Sequence, residues 1–461
     1  MVRISIFDMF SPTDYRFRVM DLAPFLSEEG FVHYKSEVEA NLTDTKADRR
    51  ITPRTAAKKI REAAMQVTAA EVYKMEASIS HDIIAQANGI RARVSDEAKP
   101  HVHVPATSYD IVDTANSMRY ADAFTKVILR DLAALEKVWI KTVRDEYDTL
   151  QIGRTHLQHA EPITYGFAMA WYVSRLGDRI VKIKKAVGEL KGKFSGAVGA
   201  YNSSSLFVND PEIFEAEILR KCGLEPAEIS TQIVPPEPVT DLVHYIITAF
   251  GVIANWADDV RNLMRPEIGE LGIPRGPDVS RSSTMPHKAN PIGPENVKSL
   301  YKETMPRIIT RYLDQISDHQ RDLTNSASQR HIPEIFDTFD YAVRRATRVS
   351  RSLKTHPEYM KRNFDMSADK IIAEPLQIIL SSLGHPDAHR YVGELADKSY
   401  EIGTPLIDLV REDPELQPYL QRFTEDQLGI LTNPSSYLGI APQKALAVAN
   451  SWSHRLSAYG L

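Results

Sequence analysis

The chain has one cysteine in 461 residues, Cys222, and therefore no possible intrachain disulfide. That fits a reducing compartment and leaves Cys222 as a small structural residue. An excess of positive charge is also lacking: 56 basic and 61 acidic residues give a formal charge of −5, well mixed along the chain. A nucleic-acid-binding protein should carry a net basic face, so that class is disfavoured, although a local basic pocket for a small anion is not. No window approaches the roughly 18 uncharged apolar residues that a membrane span needs. The N-terminus, "MVRISIFDMFSPTDYRF", has acidic residues and no sustained apolar run, so no secretory signal is expected there. The expectation is a cytoplasmic protein without a membrane or nucleic-acid partner.

Chemical signatures are missing too. There is no H-E-x-x-H, and His156 and His159 have no acidic or thiolate partner at metal-site spacing. No glycine-rich phosphate loop follows a strand, and no G-x-S-x-G elbow exists for a serine hydrolase. No metal or organic cofactor is expected.

What is present is helix. Ile111, Ala115, Met118, Phe124, Ile128, Leu132, Leu135, Trp139, Val143, Tyr147 and Leu150 recur mostly at spacings of three and four, with Ala121 filling one wider gap. They predict one apolar face on a single helix of roughly 40 residues, about 60 Å long. Further long helices are expected at about 162–193, starting with Pro162 in its first turn, and at about 239–264, 294–318 and 333–353. Another helical stretch runs from Ile51 to about Asn88. The fold class expected is all-α, with a central bundle of five long helices. The segments "FAMAWYV" and "YIITAFGVIANW" are apolar nearly all round, so they must be buried by the chain or by copies of it. Three domains are expected: a helical N-terminal domain over 1–110, the long-helix bundle over 111–363, and shorter helices over 364–461.

Polar clusters interrupt this architecture at "SHDII", "HVPATSYD", "GRTHLQHAEP", "HQRDLTNSASQRHIPE" and "SRSSTMPHKANPIGPEN". In the last, three prolines exclude regular helix or strand across its middle. A loop offering Ser282, Ser283 and Lys288 can place a hydroxyl beside a cation and backbone N–H groups, which favours the alkoxide. The same surroundings stabilise a substrate carboxylate gaining charge as its α-carbon loses a proton. His156, elsewhere in the chain, can then protonate the leaving nitrogen or oxygen. That chemistry is a β-elimination.

Together "SSTMPHKANP", "TSYDIVDTA" and "GRTHLQHAEP" resemble the fumarase/aspartase superfamily, whose loop reads G-S-S-x-M-P-x-K-x-N-P, and within it the adenylosuccinate lyase family. The resemblance runs over nearly the whole chain, from "SPTDYRF" to beyond "QRDLTNSASQR". It implies Ser282 as catalytic base, with Ser283 as its competitor, and His156 as general acid with Thr155 beside it. Lys288 and Asn290 match loop residues that hold a dicarboxylate. His81 and Asp82 match the "HD" pair that supports the site, Thr107 and Ser108 the "TS" pair on the succinyl carboxylates, and Gln232 a substrate-binding glutamine. Arg16, Arg321, Ser326 and Arg330 match residues on a nucleotide monophosphate, and guanidinium forks suit a phosphate dianion.

Three positions depart from the pattern. Arg281 replaces a glycine before the serines, Phe17 replaces a tyrosine at the phosphate site beside Arg16, and Pro105 replaces a glycine in the H-x-G-x-T-S run. The resemblance also implies a homotetramer with active sites shared between subunits and a small-molecule nucleotide substrate. The rival readings are another superfamily lyase, such as argininosuccinate lyase or a carboxymuconate cycloisomerase, and a non-catalytic paralogue that keeps the bundle.

Overall fold

The computed structural model describes residues 9–274, 284–285 and 287–461. The long periodic segment forms helix from Ser108 to Asp145, as Ser108–Ala123 and Leu129–Asp145 joined by a π turn at Phe124–Ile128. The wider turn rephases the apolar face where the sequence spacing stretches between Met118 and Phe124. Both Met118 and Phe124 are buried, as the pattern requires.

The second long helix begins later than the proline signal suggests. Pro162 lies not in its first turn but in a β-hairpin, Leu150–Thr155 paired with Gln158–Thr164, and the helix is Tyr165–Gly188. Thr164 caps it, its Oγ1 accepting from Phe167 N at 3.1 Å. Among the described residues there are three two-stranded sheets in a chain whose periodicity predicts an all-α fold. Two of them have strands of only two residues, too short for a periodicity signal, whereas the hairpin strands are six and seven residues long. The third helix, Glu237–Leu263, falls where expected, as does the fifth, Ile332–Ser352. The fourth is broken at Pro306 into Ile292–Thr304 and Arg307–Leu313, because proline cannot continue the backbone ladder. The 51–88 stretch is likewise three short helices: Arg54–Ala64, Ala69–Ile79 and Asp82–Arg91.

One shared core fills the bundle. Trp139 lies 5.3 Å from Trp256 between ring centroids and meets Tyr172 edge-on at 6.0 Å, while its Nε1 donates to Ser350 Oγ at 2.9 Å. The last helix of the chain, Ala441–Ala458, packs back onto this bundle, and Ala445, Ala449 and Trp452 join its core. Gly177 makes room for it: a Cβ there would meet the Trp452 ring at 2.4 Å. Glu237–Leu263 is long and apolar enough by composition to span a bilayer, closer to the threshold than sequence inspection suggests. In the fold its Leu242, Val243, Ile246, Phe250 and Ile253 are buried among the other helices. Cys222 is buried beside Asn41, and burial pushes its thiol up to about 12.

Glu136, on Leu129–Asp145, is fully buried, and neither of its carboxyl oxygens has a hydrogen-bond partner among the described residues. Burial raises its pKa well above the ordinary carboxylate range. The folded state therefore keeps the proton at pH values where the unfolded chain, titrating near ~4.3, has lost it. Stability contributed at low pH is lost as pH rises through the folded value. Glu136→Met is expected to raise Tm, and by more at about pH 8 than at about pH 5. Thermal melts at both pH values check this, and equal gains would show that no proton is linked to folding there.

Candidate active site

The start of Ser108–Ala123 is held from below by buried charge. Asp110 accepts from Thr107 N at 2.8 Å and from Gly196 N at 3.3 Å, and pairs with Lys193 Nζ, which also donates to Gly196 O at 3.1 Å. Burial raises the Asp110 carboxyl, while Lys193 and the two N–H groups pull it back. One turn on, Asp113 accepts from Val234 N at 3.0 Å, and burial moves its pKa up to about 6. These contacts tie the Thr107–Ser108 corner to segments 193–196 and 232–234. No local pattern in the sequence announces them.

Above this layer lies a cavity of about 400 Å³. It gathers His81, Asp82, Ser108, Gln232, Ser326 and Arg330, six of the residues singled out by motif from four separate stretches of chain. His81 is the N-cap of Asp82–Arg91, and its Nδ1 accepts from Ile84 N at 3.3 Å. Nδ1 being an acceptor, the neutral ring carries its proton on Nε2. Asp82 sits 3.9 Å from buried Lys35 and accepts from Ile83 N at 2.8 Å. Gln232 donates its backbone N–H to Gln320 O at 3.2 Å, next to Arg321.

Arg321 stands one layer deeper. It lines a smaller neighbouring cavity with Asp113, Asn116 and Gln329. Its guanidinium lies 5.0 Å over the Tyr109 ring, with Nη2 donating to Tyr109 Oη at 3.1 Å, while Nε and Nη1 are buried without partners among the described residues. Sequence reasoning missed Phe31, Tyr109, Asn116, Arg119 and Gln329, which also border these cavities. Val112, Asn116 and Arg119 continue the Ser108 face at helical spacing, and that spacing is the signal that finds them.

Thr155 and His156 are elsewhere. Thr155 pairs with Gln158, so His156 and Leu157 form a two-residue hairpin turn, with φ of 52° and 64°. Two positive φ values suit a primed turn, but neither residue is the Asn or Gly that tolerates them. Both are exposed, Leu157 at 79%. The base of the hairpin is fixed by Glu270. This fully buried carboxylate accepts from Arg154 Nη2 at 2.5 Å, Gln151 Nε2 at 2.8 Å and Asn363 Nδ2 at 2.8 Å. Glu270 directly precedes strand Leu271–Gly272, so one side chain connects the His156 hairpin to the segment entering the serine loop. His159 pairs with Ser367 Oγ at 2.8 Å, and burial lowers its pKa, with Arg154 adding to the effect.

Lys288 and Asn290 are described and exposed, and they do not line the cavity. Ser282, Ser283 and Arg281 lie outside the described residues. Arg16 is exposed on the N-terminal segment, which is pinned beside the cavity: Ser11 Oγ donates to Glu334 at 2.7 Å and Val19 N to Asp337 at 2.8 Å. Phe17 does not line the cavity; its ring packs edge-on against Tyr341 at 5.5 Å and on the bundle core. Among the described residues, no group of three or more His, Cys, Asp or Glu side chains is arranged to hold a metal ion.

The sequence pattern of a family described as Lyase matches residues 27–305, and that of the adenylosuccinate lyase C-terminal region matches 317–417. The adenylosuccinate lyase of Pyrococcus abyssi is 34% identical over 95% of this chain and 97% of its own length. That of Methanocaldococcus jannaschii is 31% identical over 94% of each. Among solved structures, the 3-carboxy-cis,cis-muconate lactonizing enzyme of Pseudomonas putida superposes with a TM-score of 0.83 at 23% identity, covering 96% of this chain and 99% of that one. A fumarate lyase from Mesorhizobium gives 0.81 at 24% identity, over 94% and 98%. At those identities the solved structures establish the fold, all-α and fumarase-like, and the closer sequence relatives establish the branch. The chain belongs to the adenylosuccinate lyase family of the fumarase/aspartase superfamily.

Proposed function

We propose that this chain cleaves adenylosuccinate to AMP and fumarate by β-elimination, and the succinyl-carboxamide ribotide of purine synthesis in the same way. The observation that carries this reading is the cavity holding His81, Asp82, Ser108, Gln232, Ser326 and Arg330 together. It offers hydroxyls and amides for carboxylates at one part and a guanidinium with a hydroxyl for phosphate at another. In this scheme Ser282 takes the proton from the carbon beside a succinyl carboxylate. Lys288 and Asn290 hold the charge that builds on that carboxylate. The C–N bond then breaks, its electron pair leaves with nitrogen, and His156 supplies the proton. Thr155 orients the leaving part, Thr107 and Ser108 bind the succinyl group, and Arg16, Arg321 and Arg330 attract the phosphate.

Incubation with adenylosuccinate and detection of fumarate is the direct test; no fumarate from a folded sample sinks the assignment. The phosphate end is tested separately. Arg330→Ala is expected to raise KM by roughly ten- to a hundredfold with a smaller change in kcat, because a charge-assisted hydrogen bond contributes ~1.5–3 kcal/mol and lies far from the reacting carbon. AMP should inhibit far better than adenosine. Equal inhibition by the two would point to a lyase for a substrate without phosphate, such as argininosuccinate.

The active unit in this reading is a cytoplasmic homotetramer whose sites are shared between subunits, and the division of the chain into 1–110, 111–363 and 364–461 belongs to the same scheme. What supports sharing is separation: His156 and Lys288 are exposed and outside the cavity that holds His81 and Ser108. Exposed Leu157 and Trp171 are suited to cover by another copy. Sedimentation should give a tetramer, and mixing inactive His156 and Ser282 variants should restore part of the activity. A fully active monomer overturns this.

A further inference from the structure

Among the described residues, Arg119 has no counter-charge. It is 4% exposed, on the cavity face of Ser108–Ala123, and it borders the cavity together with Phe31 and Asn116. Its Nε donates to Asn116 Oδ1 at 2.9 Å and its Nη2 to Tyr120 Oη at 3.3 Å, but Nη1 is buried with no partner. The guanidinium is stacked 4.0 Å over the Phe31 ring and 5.0 Å over Tyr120, which fixes its plane.

On the other contact of Phe31 sits a second buried cation, Lys35, 4.6 Å from the ring centroid. Lys35 has Asp82 at 3.9 Å. Arg119 forms no ion pair among the described residues, and the remaining acids that line the cavity are exposed Glu28, which accepts from Tyr73 Oη at 2.8 Å, and half-exposed Glu76. A guanidinium removed from water without an anion is costly, and its neutral acceptors Asn116 and Tyr120 carry no charge to balance it. Such a group is stable where an anion from outside the chain comes to meet it.

Its position along the helix says where on a ligand that anion lies. Ser108, Val112, Asn116 and Arg119 follow one another at spacings of four, four and three, so they share one face. Eleven residues at 1.5 Å each put Arg119 about 16 Å from Ser108 along the axis. One small carboxylate cannot touch both, but an elongated molecule charged at each end can.

We propose that Arg119 is a further substrate-binding residue, a rigid, stacked guanidinium that receives a terminal anionic group, carboxylate or phosphate, of the substrate in the His81–Ser108 cavity. The proposal rests on the reading of this cavity as the substrate site given above. It adds a charge that no motif assigns, held on Phe31 and separate from the exposed Arg16 and Arg330.

The test uses the full-length protein with R119Q and R119K, and inorganic phosphate, AMP and succinate as competing ligands. R119Q is expected to raise KM for adenylosuccinate and the inhibition constant of one anion class by about 10- to 100-fold, the range of a charge-assisted hydrogen bond, with a smaller loss of kcat. If phosphate and AMP weaken while succinate does not, Arg119 serves the phosphate; the reverse pattern assigns it to a carboxylate. R119K should recover part of the loss, since it restores the charge without the stacked plane. Unchanged constants for all three ligands overturn the proposal, as does a fall in Tm with unchanged constants in the folded fraction of either variant. If the native protein binds these anions through Arg119 yet releases no fumarate from adenylosuccinate, the anion site stands and the nucleotide reading falls.

Discussion

Ser282→Ala is expected to lower turnover by on the order of 10²–10⁴-fold, the contribution of a positioned general base, while substrate binding stays within a few-fold of the native value. The asymmetry follows from where the hydroxyl acts. In the proposed scheme it takes a proton only as the carbon–hydrogen bond breaks, so its loss would remove stabilisation present in the transition state and absent from the ground state. Single-turnover kinetics with adenylosuccinate, together with an equilibrium binding measurement, separate the two effects. The neighbouring hydroxyl is the control. If Ser283→Ala is the inactive variant and Ser282→Ala turns over nearly normally, the base is the second serine of the pair. Equal loss of binding and turnover would mean that the serine holds substrate and does not take its proton. Lys288→Met adds a check: with the cation that favours the serine alkoxide removed, turnover should fall even where substrate saturates.

The largest effect on stability is expected at Lys193. Its ammonium is fully buried and its partner Asp110 is 1% exposed, so Lys193→Met leaves a carboxylate in the interior without its cation. Breaking such a pair costs about 3–5 kcal/mol. Burial already raises Asp110, so losing the ammonium that opposes burial drives it further toward the protonated acid. The sign follows. A protonated Asp110 suffers less from burial, so the variant should be closer to native stability at about pH 5 and worst at about pH 8. Denaturant melts at the two pH values read this directly. Adding Asp110→Asn to Lys193→Met should recover part of the loss, because a neutral amide removes the unpaired charge and still offers one oxygen, to Thr107 N or to Gly196 N. A double variant no better than the single one would mean that packing of the lysine stem, not its charge, holds this corner.

Much of the bundle was legible in the chain because helix formation and face burial are local matters. Trp139, Leu132 and Val143 repeat at three and four, and any helix carrying that stripe must bury it. The errors have local causes as well. Pro162 reads as a helix start, but at Thr155–Gln158 two residues adopt left-handed backbone that nothing in "THLQ" advertises, and the hairpin displaces the helix to Tyr165. Pro306 breaks the fourth helix, although the apolar pattern continues through it.

By itself, the sequence determined the all-α class, the superfamily and its branch, and the residue types that the elimination needs. These follow from periodicity and from motifs in which each residue constrains its near neighbours. The tertiary structure alone decided which of those residues share a cavity: His81 and Ser108 meet Ser326 and Arg330, while His156 and Lys288 remain outside it. It also decided which charges are paired, Lys193 with Asp110 and Arg154 with Glu270, and left Arg119 without a counter-ion among the described residues. The pairs join residues 83 and 116 positions apart. Their energy depends on distance and on exclusion of water, and neither is encoded at any single stretch of chain. Only the packing of one helix against another brings such groups together and removes the solvent between them.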